Sequence, residues 1–199
     1  SLVGIQQVVL AINKMDLVGF DACLMGMVEQ AWDLRDLTDV VVASEEVIPG
    51  EGWAYARWLG SLALNPNMTA TNLGSAIVSG YGAEYAGQDD ITLSAVQTSA
   101  LGALNTALNQ FVTDALASST STADWTAMRT AASHGIIFPS DSPSYNYRDL
   151  GQFITQVSTT VSSSDASSCS YGLPPWSARC SSSRARRSAS GQFLACAAL

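Results

Sequence analysis

The sequence predicts an α/β fold with a mainly parallel sheet flanked by helices, because a helical pattern lies between two patterns typical of buried strands. The strand patterns are the apolar run at 17–20 and the β-branched run at 39–44. Between them, from Cys23 onward, apolar residues recur every three or four positions, as in a helix packed on a sheet. Parallel strands joined in this way place their carboxyl ends, and the loops that follow, at one edge of the sheet.

The remaining patterns continue this alternation over the first 160 residues. Residues 1–13 have helical apolar spacing, and a Pro- and Gly-rich loop follows the second strand. Further helices are predicted at 55–64 and 71–85, then a strand at 89–98, then helices at 100–117, 125–133 and 149–161. The chain therefore reads as one α/β domain with a sizeable core.

Composition limits the partners of this domain. Its longest apolar runs fall short of the ~20 residues that a membrane span needs, so we expect no membrane span. Residues 1–160 hold 5 Lys and Arg against 16 Asp and Glu. An acidic surface does not favour nucleic acid, whose phosphates attract basic proteins, but it is compatible with a basic substrate.

Residues 161–199 differ from the rest of the chain. They are dense in Ser, Ala and Arg, show no sustained helix or strand period, and contain Cys169, Cys180 and Cys196. The cysteine spacing matches neither a metal site nor a small stapled domain, although disulfides within the tail are an alternative. We predict that residues 1–160 form the folded domain and that 161–199 are a low-complexity tail, disordered or frame-shifted.

Cys23 is the candidate for chemistry, since it lies where the first strand ends and a helix is predicted to begin. The reactive form of a thiol is the thiolate, which the positive end of a helix dipole favours. The loop "EEVIPGEGWAY" at 45–55 leaves the same sheet edge. The alternative is that Cys23 is a small buried apolar residue. A nucleotide site is not indicated, because no Gly-rich phosphate loop joins a strand to a helix.

These segments resemble the clostripain family of cysteine peptidases. The resemblance rests on "LVGFDACLMGMVEQAWDL", "VVVASEEVIPGEGWAY", "TLSAVQTSAL" and "YRDLGQF", and it covers roughly residues 1–160. It implies a caspase-like sandwich, as in caspases, legumains and gingipains, and cleavage of peptides or proteins after Arg or Lys. It also implies a bacterial protein that is secreted or at the cell surface, without a cofactor for the chemistry but with calcium in some members.

The resemblance assigns roles to individual residues. Cys23 matches the nucleophile, whose own backbone N–H would help to hold the oxyanion. Asp21 matches an acidic residue that could pair with a basic substrate side chain, bidentately with Arg; the alternative is a helix N-cap. Glu51 is a second candidate for that pocket, or else a solvated loop charge. Ser44 and Glu45 either line the pocket wall or make turn hydrogen bonds.

The general base of the family is missing from its expected place. It is a His followed by Gly at the end of a strand upstream of the Cys, but none of the 22 residues before Cys23 is His. The one histidine, His134, comes 111 residues after the thiol (134 − 23), in a pattern typical of a helix end. We therefore expect an inactive fragment of a peptidase whose first strands and His lie outside it. The alternative is a binding or adhesion module that retains the fold.

Overall fold

The computed structural model describes residues 14–118, 121–133, 136–140 and 147–154. The helical pattern at 1–13, His134, the end of the last predicted helix and the 161–199 tail lie outside these residues. The described chain falls into two compact units that divide after Leu101. Within the described residues, no helix is both long enough and apolar enough to cross a membrane.

The first unit is built on a three-stranded sheet in the order β1, β2, β3. Strand β1 (Met15–Gly19) runs parallel to β2 (Thr38–Ala43), and β3 (Ser94–Gln97) pairs with β2 in the antiparallel direction. Helices and loops cover the sheet, which confirms the predicted α/β class. The parallel pair is the one that the sequence indicated, and its strands end on the same side, where Cys23 and the loop after β2 follow.

Strand β2 is buried on both faces, as its β-branched run predicted. Successive side chains of a strand point to opposite faces, and Val40 and Val42 therefore pack in one apolar cluster while Val41 and Ala43 pack in another. The first cluster also contains Ile48, Trp53, Ile77, Val78, Tyr81, Tyr85, Ile91, Leu93 and Ala95. The second contains Val18, Phe20 and Leu34. Trp53 thus anchors the loop after β2 to the core.

Two longer helices follow the loop, close to the predicted positions. Helix α2 (Tyr55–Leu64) has the predicted bounds, and α3 (Ala70–Glu84) begins one residue earlier than expected. Thr69 caps α3, because its hydroxyl accepts a hydrogen bond from the N–H of Asn72 at 3.3 Å. The Asn65-Pro66 dipeptide separates the two helices, as expected from the restricted backbone before proline.

The prediction that a helix begins at Cys23 is wrong. Helix α1 (Val28–Asp33) begins five positions later and has only six residues. The N–H of Leu24 donates to the carbonyl of Glu46 at 3.3 Å instead of serving a helical turn. Leu24 also has φ +60°, in the left-handed region that an α-helix of L-residues does not use.

Gly26 keeps this segment beside the end of β2. Its N–H donates to the carbonyl of Ser44 at 2.7 Å. A Cβ at position 26 would lie 2.7 Å from backbone atoms of both Ser44 and Glu45, so only glycine allows the approach. The apolar spacing after Cys23 therefore reflects packing of a loop, and the chain becomes helical only where it leaves β2.

Among its described residues, the second unit contains two long helices, a short hairpin and a short helical segment. Helix α4 (Leu101–Ser118) begins at the boundary between the units, after a 3-10 turn, and α5 (Thr122–Ser133) follows. Strands β4 (Ile137–Phe138) and β5 (Tyr147–Arg148) pair antiparallel, and residues 150–154 are helical. Phe111 and Phe153 meet edge to face, with ring centroids 6.2 Å apart.

Candidate active site

The thiol of Cys23 is exposed in the loop between β1 and α1. Its sulfur accepts a hydrogen bond from the N–H of Ile48, at 3.4 Å, which orients the side chain. The N–H of Cys23 itself has no acceptor among the described residues. The alternative of a buried apolar cysteine is therefore wrong. An exposed thiol beside a backbone N–H is an arrangement suited to acyl transfer.

Two buried hydroxyl groups define the turn that follows β2. The hydroxyl of Ser44 donates to the carbonyl of Glu46 at 2.8 Å and lies 3.0 Å from the hydroxyl of Thr92. Thr92 in turn accepts hydrogen bonds from the N–H groups of Glu45, at 3.0 Å, and Glu46, at 2.9 Å. Ser44 is fully buried, so its hydroxyl serves the turn, which is the second of the two roles that the sequence allowed. Glu45 is half-buried on the same turn.

Asp21 is held in place by the loop after β2. Its Oδ2 accepts a hydrogen bond from the N–H of Trp53, at 3.1 Å, and another from the hydroxyl of Tyr55, at 2.9 Å. In the described part of the chain nothing donates to Oδ1, and Asp21 is exposed. The N-cap of α1 is Met27, so the alternative that Asp21 caps this helix is wrong. The carboxylate is fixed through one oxygen and open at the other.

Gly52 allows the loop to approach this carboxylate. It has φ +72°, and a Cβ built on it would lie 2.5 Å from Oδ2 of Asp21. On its other side, the carbonyl of Gly52 accepts a hydrogen bond from the hydroxyl of Tyr85 at 2.7 Å. Both the backbone conformation and the close contact therefore require glycine at this position.

Glu51 adds a second negative charge to the same loop. Its side chain is exposed and has no hydrogen bond or ion pair with any described residue. Burial raises the pKa of Tyr85, and the charges of Glu51, Glu84 and Asp21 raise it further. The charges of Glu51 and Asp21 thus both raise the pKa of Tyr85, which indicates a negative electrostatic potential around the loop. Such a field favours a cation.

Tyr81 in α3 and Tyr85, the residue that follows this helix, pack in the same apolar cluster as Trp53, with their ring centroids 4.8 Å apart. Tyr81 is fully buried, and its hydroxyl has no hydrogen-bond partner among the described residues. Burial raises the pKa of Tyr81, and the charges of Tyr85, Asp21 and Cys23 add to this effect. Tyr85 differs because its hydroxyl reaches the carbonyl of Gly52.

We expect opposite effects from the same substitution at these two tyrosines. Tyr81→Phe should stabilise the protein by about 1 kcal/mol, because it removes a buried hydroxyl that makes no hydrogen bond. Tyr85→Phe should destabilise it by about 1 kcal/mol, because the carbonyl of Gly52 loses its donor. The urea midpoint of the full chain, at unchanged m-value, measures both changes.

A loss of stability in Tyr81→Phe as large as that in Tyr85→Phe would show that the Tyr81 hydroxyl has a partner in solution. Titration supplies a further comparison. A raised tyrosine pKa contributes stability that is fully present below the ordinary value of 10.0 and is lost as the pH rises through the folded value. Tyr81→Phe should therefore reduce the loss of stability on going above pH 10.0.

The sequence reasoning did not single out Tyr55, Tyr85, Thr92 or the N–H of Ile48. Tyr55 pairs with a residue 34 positions away and Thr92 with one 48 positions away, so no local spacing indicates either contact. The one available signal was Thr92, which lies among apolar residues before β3. A buried hydroxyl needs a hydrogen-bond partner, so this threonine indicated a polar contact.

Calcium, which some members of the resembled family need, stays a prediction for this chain. No group of three or more His, Cys, Asp or Glu side chains comes together among the described residues. Since calcium takes six to eight oxygen ligands, Asp21 and Glu51 do not by themselves fit such a site.

Comparison with known proteins shows which family this chain resembles. Residues 2–175 match the Clostripain family. A cysteine protease from B. fragilis superposes with a TM-score of 0.57 at 21% identity, over 80% of this chain and 65% of that protein. An inactive zymogen C11 protease from Parabacteroides distasonis gives 0.55 at 18% identity, over 75% and 40%. None of the curated proteins matches significantly.

A third structure is a secreted C11 cysteine protease from Bacteroides thetaiotaomicron, solved with an irreversible peptide inhibitor. It has a TM-score of 0.46 at 24% identity, over 54% of this chain and 33% of that protein. The chain therefore spans less than two thirds of each of these three proteins. The first two superpositions support the caspase-like fold that the sequence implied.

Proposed function

The chain belongs to the clostripain family of cysteine peptidases, and we propose that it is part of an endopeptidase that cleaves after Arg or Lys with Cys23 as nucleophile. One observation carries the proposal. The exposed thiol lies two residues from an exposed carboxylate, that of Asp21, which the loop after β2 holds in place through Oδ2. The thiol would react with the substrate, and the carboxylate would bind its basic side chain.

The reaction would proceed through an acyl-enzyme. The thiolate of Cys23 adds to the scissile carbonyl, and the N–H of Cys23 donates to the oxyanion. The C–N bond then breaks, the leaving amine takes up a proton, and water hydrolyses the thioester. This sequence needs a base that removes the thiol proton and returns it to the amine.

We assign the base to a histidine outside the described residues, as in a Cys-His dyad. The described residues contain no histidine, and His134 lies outside them. The structural neighbours are longer than this chain, which spans 65% and 40% of the two with the higher TM-scores. A chain without that histidine would bind a substrate but would not turn it over. Export of the whole protein stays a prediction from the family resemblance.

Specificity would come from two carboxylates, that of Asp21 after β1 and that of Glu51 in the loop after β2. Asp21 offers Oδ1 to the basic side chain of the substrate, and the charge of Glu51 adds to the field. A charge-assisted hydrogen bond contributes about 1.5–3 kcal/mol. Since 1.4 kcal/mol corresponds to tenfold, cleavage after a basic residue should be about 10- to 100-fold faster than after a neutral one.

The test uses the natural protein that contains this chain and four fluorogenic peptides that differ only in having Arg, Lys, Asp or Leu before the scissile bond. We expect cleavage after Arg and Lys, and a selective loss of these two activities in Asp21→Asn. Equal rates for all four peptides would refute the assigned role of Asp21. Retention of basic peptides without cleavage of any would favour the binding-module alternative and contradict the proposed enzyme.

A further inference from the structure

The hydrogen bonds on Asp21 are distributed unequally between its two oxygens. Oδ2 accepts both the N–H of Trp53 and the hydroxyl of Tyr55, at 3.1 Å and 2.9 Å. Each carboxylate oxygen has about two lone-pair sites. Oδ2 is therefore saturated by the loop, while Oδ1 keeps both of its sites for a ligand.

This distribution matters because the two basic side chains bind a carboxylate differently. A guanidinium presents a rigid fork of N–H groups and pairs best when each carboxylate oxygen accepts one of them. An ammonium is a compact charge with three rotatable donors, and one oxygen is enough for it. A carboxylate with a single open oxygen therefore loses more of its potential affinity for Arg than for Lys.

The ring of Tyr55 lies beside two tryptophan rings, although the side chain is exposed. Tyr55 is the first residue of α2, and its ring lies 6.5 Å from that of Trp53 and 5.6 Å from that of Trp58. The hydrogen bond to Asp21 raises the pKa of Tyr55, so the phenol remains a donor at neutral pH. Of the two donors on Oδ2, this hydroxyl is the one that a side-chain substitution can remove.

We infer that Tyr55 is a specificity-determining residue, which occupies Oδ2 of Asp21 and so shifts recognition from a bidentate Arg toward a singly bound Lys. The inference rests on the proposed function and goes beyond it, since it ranks the two basic residues. Tyr55 acts through Asp21 and is a positioning residue, because it need not touch the substrate itself.

The experiment compares kcat/KM of the natural protein and of its Tyr55→Phe variant on two peptides that differ only in Arg or Lys before the scissile bond. Tyr55→Phe frees one lone-pair site on Oδ2 and allows the guanidinium fork. We expect the ratio of kcat/KM for Arg to that for Lys to rise about tenfold, which corresponds to one additional charge-assisted hydrogen bond. Inhibition constants of butylguanidinium and butylammonium should shift in the same sense and report binding without turnover.

Tyr85→Phe is the matched control, because it removes a hydroxyl that bonds to the same loop, at Gly52, and leaves the carboxylate of Asp21 untouched. It should leave the Arg-to-Lys ratio within about twofold of wild type. An unchanged ratio in Tyr55→Phe, or equal losses on both peptides, would overturn the inference and leave the proposed function intact. If the natural protein cleaves after neither Arg nor Lys, the proposed function and this inference are both wrong.

Discussion

Replacing Cys23 with alanine is expected to abolish peptide cleavage by the natural protein while leaving its fold intact. Removal of a catalytic nucleophile typically lowers kcat by about 10⁴-fold or more. The fold should persist because Cys23 is exposed and its sulfur is only a weak acceptor for the N–H of Ile48. Initial rates on an Arg or Lys peptide measure the loss of cleavage, and a thermal unfolding curve measures whether the fold is intact.

Two control variants separate the role of Cys23 from a general effect of losing a thiol. Cys180→Ala removes a cysteine that lies beyond the family match at 2–175, and it should keep wild-type rates. Cys23→Ser keeps a hydrogen-bonding side chain near Ile48 but lacks a thiolate, so it should fold normally and remain inactive. Retention of more than a tenth of the activity in Cys23→Ala would exclude this residue as nucleophile.

Gly52→Ala is expected to impair both the stability of the protein and its recognition of basic substrates. Holding alanine at φ +72° costs about 1–2 kcal/mol. The added Cβ would also lie 2.5 Å from Oδ2 of Asp21, which forces the carboxylate away from Trp53 and Tyr55. Loss of those two hydrogen bonds, at about 1 kcal/mol each, brings the expected total to about 3–4 kcal/mol.

The measurements are the urea midpoint of unfolding and kcat/KM on basic peptides, which should fall at least about tenfold as the carboxylate is displaced. Gly50→Ala is the control, since a Cβ at this position of the same loop would meet nothing within 4 Å. It should change stability by no more than about 0.5 kcal/mol. Equal losses in the two variants would mean that the loop needs flexibility in general and not the contact between Gly52 and Asp21.

The elements that the sequence predicted best are those with strong local signals. Helix α2 has the expected bounds at Tyr55–Leu64, because the Pro- and Gly-rich loop precedes it and Asn65-Pro66 follows it. Strand β2 lies one residue from its predicted position, because a β-branched run buried on both faces has few alternatives.

The start of α1 was mispredicted because the competing interactions are not local. Apolar spacing from Cys23 onward indicated a helix, but the N–H groups of Leu24 and Gly26 bond to carbonyls at the end of β2. A helix at this point would have removed the donors that Leu24 and Gly26 supply to those two carbonyls. The segment around Cys23 is therefore shaped by the strand beside it, which its own spacing does not reveal.

By itself, the sequence determined the α/β class, the family, the candidate thiol and the acidic loop that accompanies it. The class follows from residue types at short spacing, where backbone geometry relates pattern to structure. The family follows from the resemblance of several longer segments. Only the tertiary structure decided which groups meet, namely Ile48 with the thiol and Tyr55 with Asp21. Such contacts join residues about 25–34 positions apart, and they exist only because packing of the sheet against its helices closes the chain on itself.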